Sequence, residues 1–190
     1  MAAPTSSPSL SALTSLISET AARPSSPTSA LSLQVLHNLQ HQHLWTSLQI
    51  HEPYALSSQQ HTPLISGLPP QTVYTHPDEQ AYILEHDIRP ETIPVEKEWV
   101  IPCAQGQSWS LRKLSGLFDS LPNKTEDMPE DVATEEHSAS EKVVEFVRLK
   151  KEKPWGGKRA LLAMVNRGMG GDGTVVYYVM LEGNVKPRQN

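Results

Sequence analysis

The sequence predicts an α/β domain, a small mixed β-sheet with flanking helices, and three observations carry that reading. Apolar residues recur at helical spacing around 30–43 and again around 108–121. A nearly continuous apolar run from Arg159 to Arg167 is followed by a glycine-rich turn and then by Thr174–Leu181, the strongest strand signal in the chain. Only 37% of the 190 residues are hydrophobic and 19% are charged, against a usual charged share of about 25%. Ser, Thr, Gln and 16 Pro fill the difference, so a modest core is diluted by segments that stay unfolded.

The elements follow in order. Residues 1–30 hold nine Ser, four Thr and four Pro with one acid and one base, Glu19 and Arg23. Such a stretch buries too little apolar surface to offset its ordering entropy, so 1–29 is expected to be a disordered tail and 30–185 the domain. Leu33, Leu36, Leu39 and Leu44 predict a helix over 30–43, capped by Ser29 or Ser32. Trp45 to His51 alternates large and polar residues and predicts a strand, stopped by Pro53. Residues 52–70, with four Pro and Gly67, read as a long loop. Gln71–Thr75 reads as a second strand, Asp78 to Ile88 as a short helix, and Trp99–Ile101 as a third strand ended by Pro102.

Ser108 or Ser110 caps the next helix, whose stripe is Leu111, Leu114, Leu117, Phe118 and Leu121; Pro122 ends it. Residues 122–141 carry seven acids against one Lys and read as a flexible acidic insertion. Lys142 to Lys153 predicts a helix with Val143, Val144 and Val147 inward. The run from Arg159 is apolar on both faces, which places it centrally in the sheet, paired as a hairpin with Val175–Leu181.

The net charge of −5 gives no bulk basic field for nucleic acid. The single Cys103 excludes an internal disulfide framework and a Cys-based zinc site. No apolar run approaches the ~18 residues of a membrane span, and no secretion signal is visible, so a soluble intracellular protein is expected. Gly168–Gly173 leads into a strand, which makes it a hairpin tip and not a phosphate cradle. His37 and His41 stand at i, i+4 without a defined third ligand, so a polar helix face is preferred over a metal site, and none is assigned. Cys103, Ser108 and Ser110 lack a nucleophile's context.

Two features point outward. Lys150, Lys151, Lys153, Lys158 and Arg159 cluster before the central strand, where they suit RNA phosphates or a solvated surface equally. Val175, Val176, Tyr177, Tyr178, Val179 and Met180 make both faces of one strand apolar or aromatic. Alternate residues face opposite sides, so one set fills the chain's own core and the other is a candidate surface for another chain.

These residues carry a resemblance. Arg159–Asn166 with Gly173–Leu181 resembles the closing hairpin of the tRNA-splicing endonuclease fold, where an apolar strand, a short acidic loop and a strand with a Tyr-Tyr pair end the domain. Trp99–Pro102 with Ser110–Leu117 resembles the strand and helix before it, and 30–43 with Trp45 resembles the start of the smallest subunit, the Sen-fifteen type. The likeness spans 30–121 and 142–185. It implies a non-catalytic structural subunit, without cofactor, that supports a nuclease subunit of the Sen-thirty-four type in excising introns from pre-tRNA. It further implies a heterotetramer that meets pre-tRNA as a complex, in the nucleus or, alternatively, on the cytosolic face of mitochondria. Catalytic members use a Tyr, His and Lys set. Lys158 stands near the Lys position, but the Tyr and His blocks are absent, and one Lys alone does not supply general acid–base cleavage. The family pairs through its terminal strand, matched here by Val175–Met180, and docks an acidic loop, matched by Gly170–Gly173 with Asp172. The opposing reading is a free-standing RNA-binding protein that uses the basic 148–159 cluster.

Overall fold

The computed structural model describes residues 30–122, 141–153, 155, 157–166, 173–182 and 184–187. The expected tail 1–29, the bulk of the acidic insertion (123–140), the turn 167–172 with Asp172, and the side chain of Lys151 lie outside the described residues. Four α-helices, α1 (Ala30–His41), α2 (Pro77–Glu85), α3 (Leu111–Ser120) and α4 (Glu141–Glu152), accompany six strands. The strands are β1 (Thr46–His51), β2 (Leu64–Leu68), β3 (Glu98–Ala104), β4 (Arg159–Val165), β5 (Val175–Leu181) and β6 (Asn184–Pro187).

They form one mixed sheet in the order β1-β2-β3-β4-β5-β6. Every neighbouring pair is antiparallel except β3 and β4, which run parallel with Val100 opposite Leu161 and Ala104 opposite Val165. A parallel step requires a crossover, and the chain between β3 and β4 contains α3 and α4. β4 is therefore central, as its continuous apolar run requires.

The sheet has two faces. On one, Val35 and Leu39 of α1 pack with Trp45, Ile65, Val100, Leu161, Ala163, Tyr177 and Val179. On the other, Leu117 and Phe118 of α3, with Leu121, cover Leu64, Trp99, Ile101, Ala160 and Met180. A third cluster lies between α2 and α4, where Ile83, Ile88, Val143 and Phe146 meet. No helix among the described residues is long and apolar enough to cross a membrane.

Several expectations need correction. The segment 52–70 is not all loop, because Leu64–Leu68 is the buried strand β2. Ser and Gly weaken its strand signal, yet both are needed. Ser66 Oγ bonds His51 Nε2 at 2.8 Å, and a Cβ on Gly67 would lie 2.7 Å from the Leu48 side chain. Gln71–Thr75 is not a strand; Val73 is buried and Tyr74 packs on the first cluster without joining the ladder. Pro102 does not end β3, which continues to Ala104. Pairing with β2 stops at Val100, so Pro102 lies where its missing N–H costs no ladder bond on that side. The cap of α2 is His76, whose Nδ1 accepts from the Asp78 N–H while Glu79 returns a bond to the His76 N–H. Two inward assignments reverse. Leu111 is 87% exposed at the start of α3, and Val144 faces out while Phe146 takes the core position on α4. Ser110 caps α3 as expected.

Candidate partner interface

β5 follows a simple alternation, and the two flanking layers decide what each side chain does. Val175, Tyr177, Val179 and Leu181 face α1. The Tyr177 hydroxyl donates to Asn38 Oδ1 at 2.6 Å inside this cluster, and the His43 ring meets the Tyr177 ring edge-on at 5.1 Å. Gln34 of α1 donates to the Gly173 carbonyl at 3.1 Å, fixing where the chain enters β5. Of the six strand residues expected at an interface, Val175, Tyr177 and Val179 are thus committed to the chain's own core.

The opposite face is covered only in part. Met180 lies beneath α3 with Ala160 opposite it. Beyond the reach of α3, Val176 is 46% exposed and Tyr178 is half-buried. Their cross-strand partners are Met164 and Leu162, both half-buried. Leu162 still packs on the α3 cluster, so among the described residues Met164, Val176 and Tyr178 form a partly exposed strip at one end of the β4–β5 hairpin. Leu162 and Met164 were missed by sequence reasoning, since only the register shows which β4 residues share a face with Tyr178. β6, which no strong local signal predicted, pairs with Tyr178–Leu181 along the outer edge of β5.

The basic cluster does not survive as a single surface. Lys150 is buried, with its Nζ 2.7 Å from Glu79 and 2.8 Å from Glu96. Arg159 is buried too; it makes a bidentate pair with Glu98, reaches Glu96 at 3.3 Å and donates to the Tyr74 carbonyl at 3.0 Å. Burial alone would lower the Arg159 pKa, but Glu98, then Glu96 and Glu79, more than offset it and hold the guanidinium above its ordinary value. These two residues, expected to be available to phosphate, instead fasten α2 and α4 to β3 and β4. Lys158 is half-buried and donates to the Phe118 carbonyl at 3.1 Å, near the end of α3. Lys153 is exposed.

Other candidates contribute no chemistry. The His37 and His41 rings lie 4.4 Å apart, and no group of three or more metal-capable side chains exists among the described residues. Cys103 is buried; its Sγ accepts from Trp109 Nε1 at 3.2 Å.

A mixed six-stranded sheet, covered by α1 on one face and in part by α3 on the other, defines a small α/β domain. The Sen15 protein family matches residues 34–134 and 128–190, and the chain belongs to that family. It is also 35% identical over 171 residues to a Neurospora crassa protein described as "Probable tRNA-splicing endonuclease subunit tsp-1". That match covers 85% of this chain and 66% of the relative's length.

Proposed function

We propose that this chain is a non-catalytic structural subunit of a tRNA-splicing endonuclease, supporting a nuclease subunit in the excision of introns from pre-tRNA. The observation that carries this reading is the partly exposed apolar strip Met164, Val176 and Tyr178 on the β4–β5 hairpin. An apolar strip on a small sheet is stabilised by burial against another chain. Family membership and the name of the Neurospora relative support tRNA splicing as the process. The partner is a catalytic subunit of the Sen-thirty-four type in a heterotetramer, pre-tRNA is met through the complex, and the complex works in the nucleus.

The chain itself is proposed to lack cleavage activity. Lys158 is engaged with the Phe118 carbonyl, and the sequence contains no Tyr and His blocks to accompany it. The free-standing RNA-binding alternative loses support because Lys150 and Arg159 are held in internal ion pairs.

Purification of the tagged full-length chain, with mass spectrometry of what accompanies it, tests the proposal. Recovery of a nuclease subunit is expected, with imaging of the same tagged chain in the nucleus. Recovery of no endonuclease subunit contradicts it. In the assembled complex Lys158→Ala should cleave pre-tRNA at near the wild-type rate. A drop of ~10²-fold, the scale of a lost general acid or base, would make the chain catalytic.

A further inference from the structure

The loop between β1 and β2 is held from within. The buried Gln60 side chain donates to the carbonyls of Glu52 and Thr62 at 3.0 and 3.1 Å and accepts from the Leu56 N–H at 2.8 Å. The loop is also fastened to α3. The Ser57 and Ser120 hydroxyls are 2.7 Å apart, and Gly116 approaches Gln59 so closely that a Cβ would stand 3.3 Å from it.

On this frame Tyr54 adopts a left-handed backbone conformation, φ +66°, which a bulky side chain takes only when its surroundings enforce it. The enforced residue is not buried; Tyr54 is 61% exposed. Its ring meets His61 edge-on at 5.3 Å, and its hydroxyl lies 3.1 Å from His61 Nδ1. His61 lines a groove whose opposite wall is the first turn of α3, with Leu111, Arg112 and Lys113 all exposed. Neither cation has an ion-pair partner among the described residues. The one acid of the groove, Asp119, lies about two turns further along α3 and accepts a 3.5 Å bond from Ser115.

We infer that this groove contacts single-stranded RNA, with the Tyr54–His61 pair as a stacking surface for a base and Arg112 and Lys113 beside the adjoining phosphates. An exposed aromatic on a rigid loop loses little entropy on stacking, and every base offers a π-face. Two cations across a groove from it match a backbone that carries one charge per nucleotide. The inference rests on the proposed place of the chain in an RNA-cleaving complex, and it places RNA contact outside the basic 148–159 cluster.

Fluorescence anisotropy of the full-length chain with a labelled single-stranded oligouridine, across roughly 50–200 mM salt, tests it. Arg112→Glu with Lys113→Glu is expected to weaken binding at least about tenfold. It should also flatten the slope of log affinity against log salt by about 1.4, two phosphates at about 0.7 each. Tyr54→Gly, which removes the ring and suits the backbone, should weaken binding about tenfold. Both variants should still co-purify with the nuclease subunit. The inference is overturned if both variants keep wild-type affinity and slope, or if the wild-type chain shows no salt-dependent binding. It is equally overturned if the variants lose the nuclease subunit while RNA binding is unchanged, which would make the groove a protein interface. If no endonuclease subunit is ever recovered but the variants lose RNA, the groove stands and the scaffold reading falls.

Discussion

The two faces of β5 are built from the same kinds of residue and have opposite fates. Tyr177 and Tyr178 are neighbours in sequence; one ends in a hydrogen bond to Asn38 under α1, and the other lies half-buried beyond the reach of α3. Residue type does not distinguish the faces. Coverage does. α1 packs against four strands, β1 to β4, and its cluster includes Tyr177 and Val179 of β5. On the other face α3 and the 52–62 loop cover one end of the sheet and stop short of Val176 and Tyr178. A hydrophobic strand residue is therefore evidence of burial somewhere, while the layer above it decides whether the burial is internal.

The comparison is broken most strongly on the closed face. Arg159→Ala would leave Glu98 buried without its bidentate partner and remove the guanidinium contact to Glu96. Removing one member of a buried pair typically costs 3–5 kcal/mol, so urea denaturation should show a loss of about that size. A loss below about 1 kcal/mol would mean that water replaces the guanidinium and that α2 and α4 are not held by charge. Tyr177→Phe keeps the ring and removes the hydroxyl that bonds Asn38, so about 1–2 kcal/mol should be lost by the same measurement. On the open face Val176→Thr should change stability by less than about 0.5 kcal/mol, as expected for a partly exposed side chain.

The smallest effect concerns His51, on the same side of the sheet as Trp99. Partial burial, then the charge of Lys97, holds its pKa below the ordinary 6.5. The unfolded chain therefore takes up a proton first as pH falls. Its contribution to stability is fully present above about 6.5 and declines as pH falls below that value. His51→Gln should flatten the fall of the urea midpoint in that range relative to wild type. An unchanged slope would show that His51 titrates as it does in the unfolded chain.

Legibility in the sequence followed the range of the interactions. α1, α3 and the β4–β5 hairpin have their signals within a few residues, as spacing, a Ser110 cap and uninterrupted apolar runs. β2 and β6 do not. Five residues containing Ser66 and Gly67, and four containing Lys186 and Pro187, become strands only because longer neighbours offer an edge. The basic cluster shows the same limit. Lys150 and Arg159 look available because no acid near them in sequence answers both, while Glu79, Glu96 and Glu98 arrive from more than 50 residues away. Both tyrosines of the candidate interface were visible, but the face each would take depended on where α1 and α3 end.

The adjacent tyrosines test that account directly. Tyr177→Asp and Tyr178→Asp should be prepared as full-length chains and compared by circular dichroism and by co-purification with the nuclease subunit. Tyr177→Asp places an unpaired charge in the α1 core and should unfold the chain. Tyr178→Asp should keep the wild-type spectrum and lose the partner. If Tyr178→Asp retains the nuclease subunit, or if both variants unfold alike, the partly exposed strip is not the association surface.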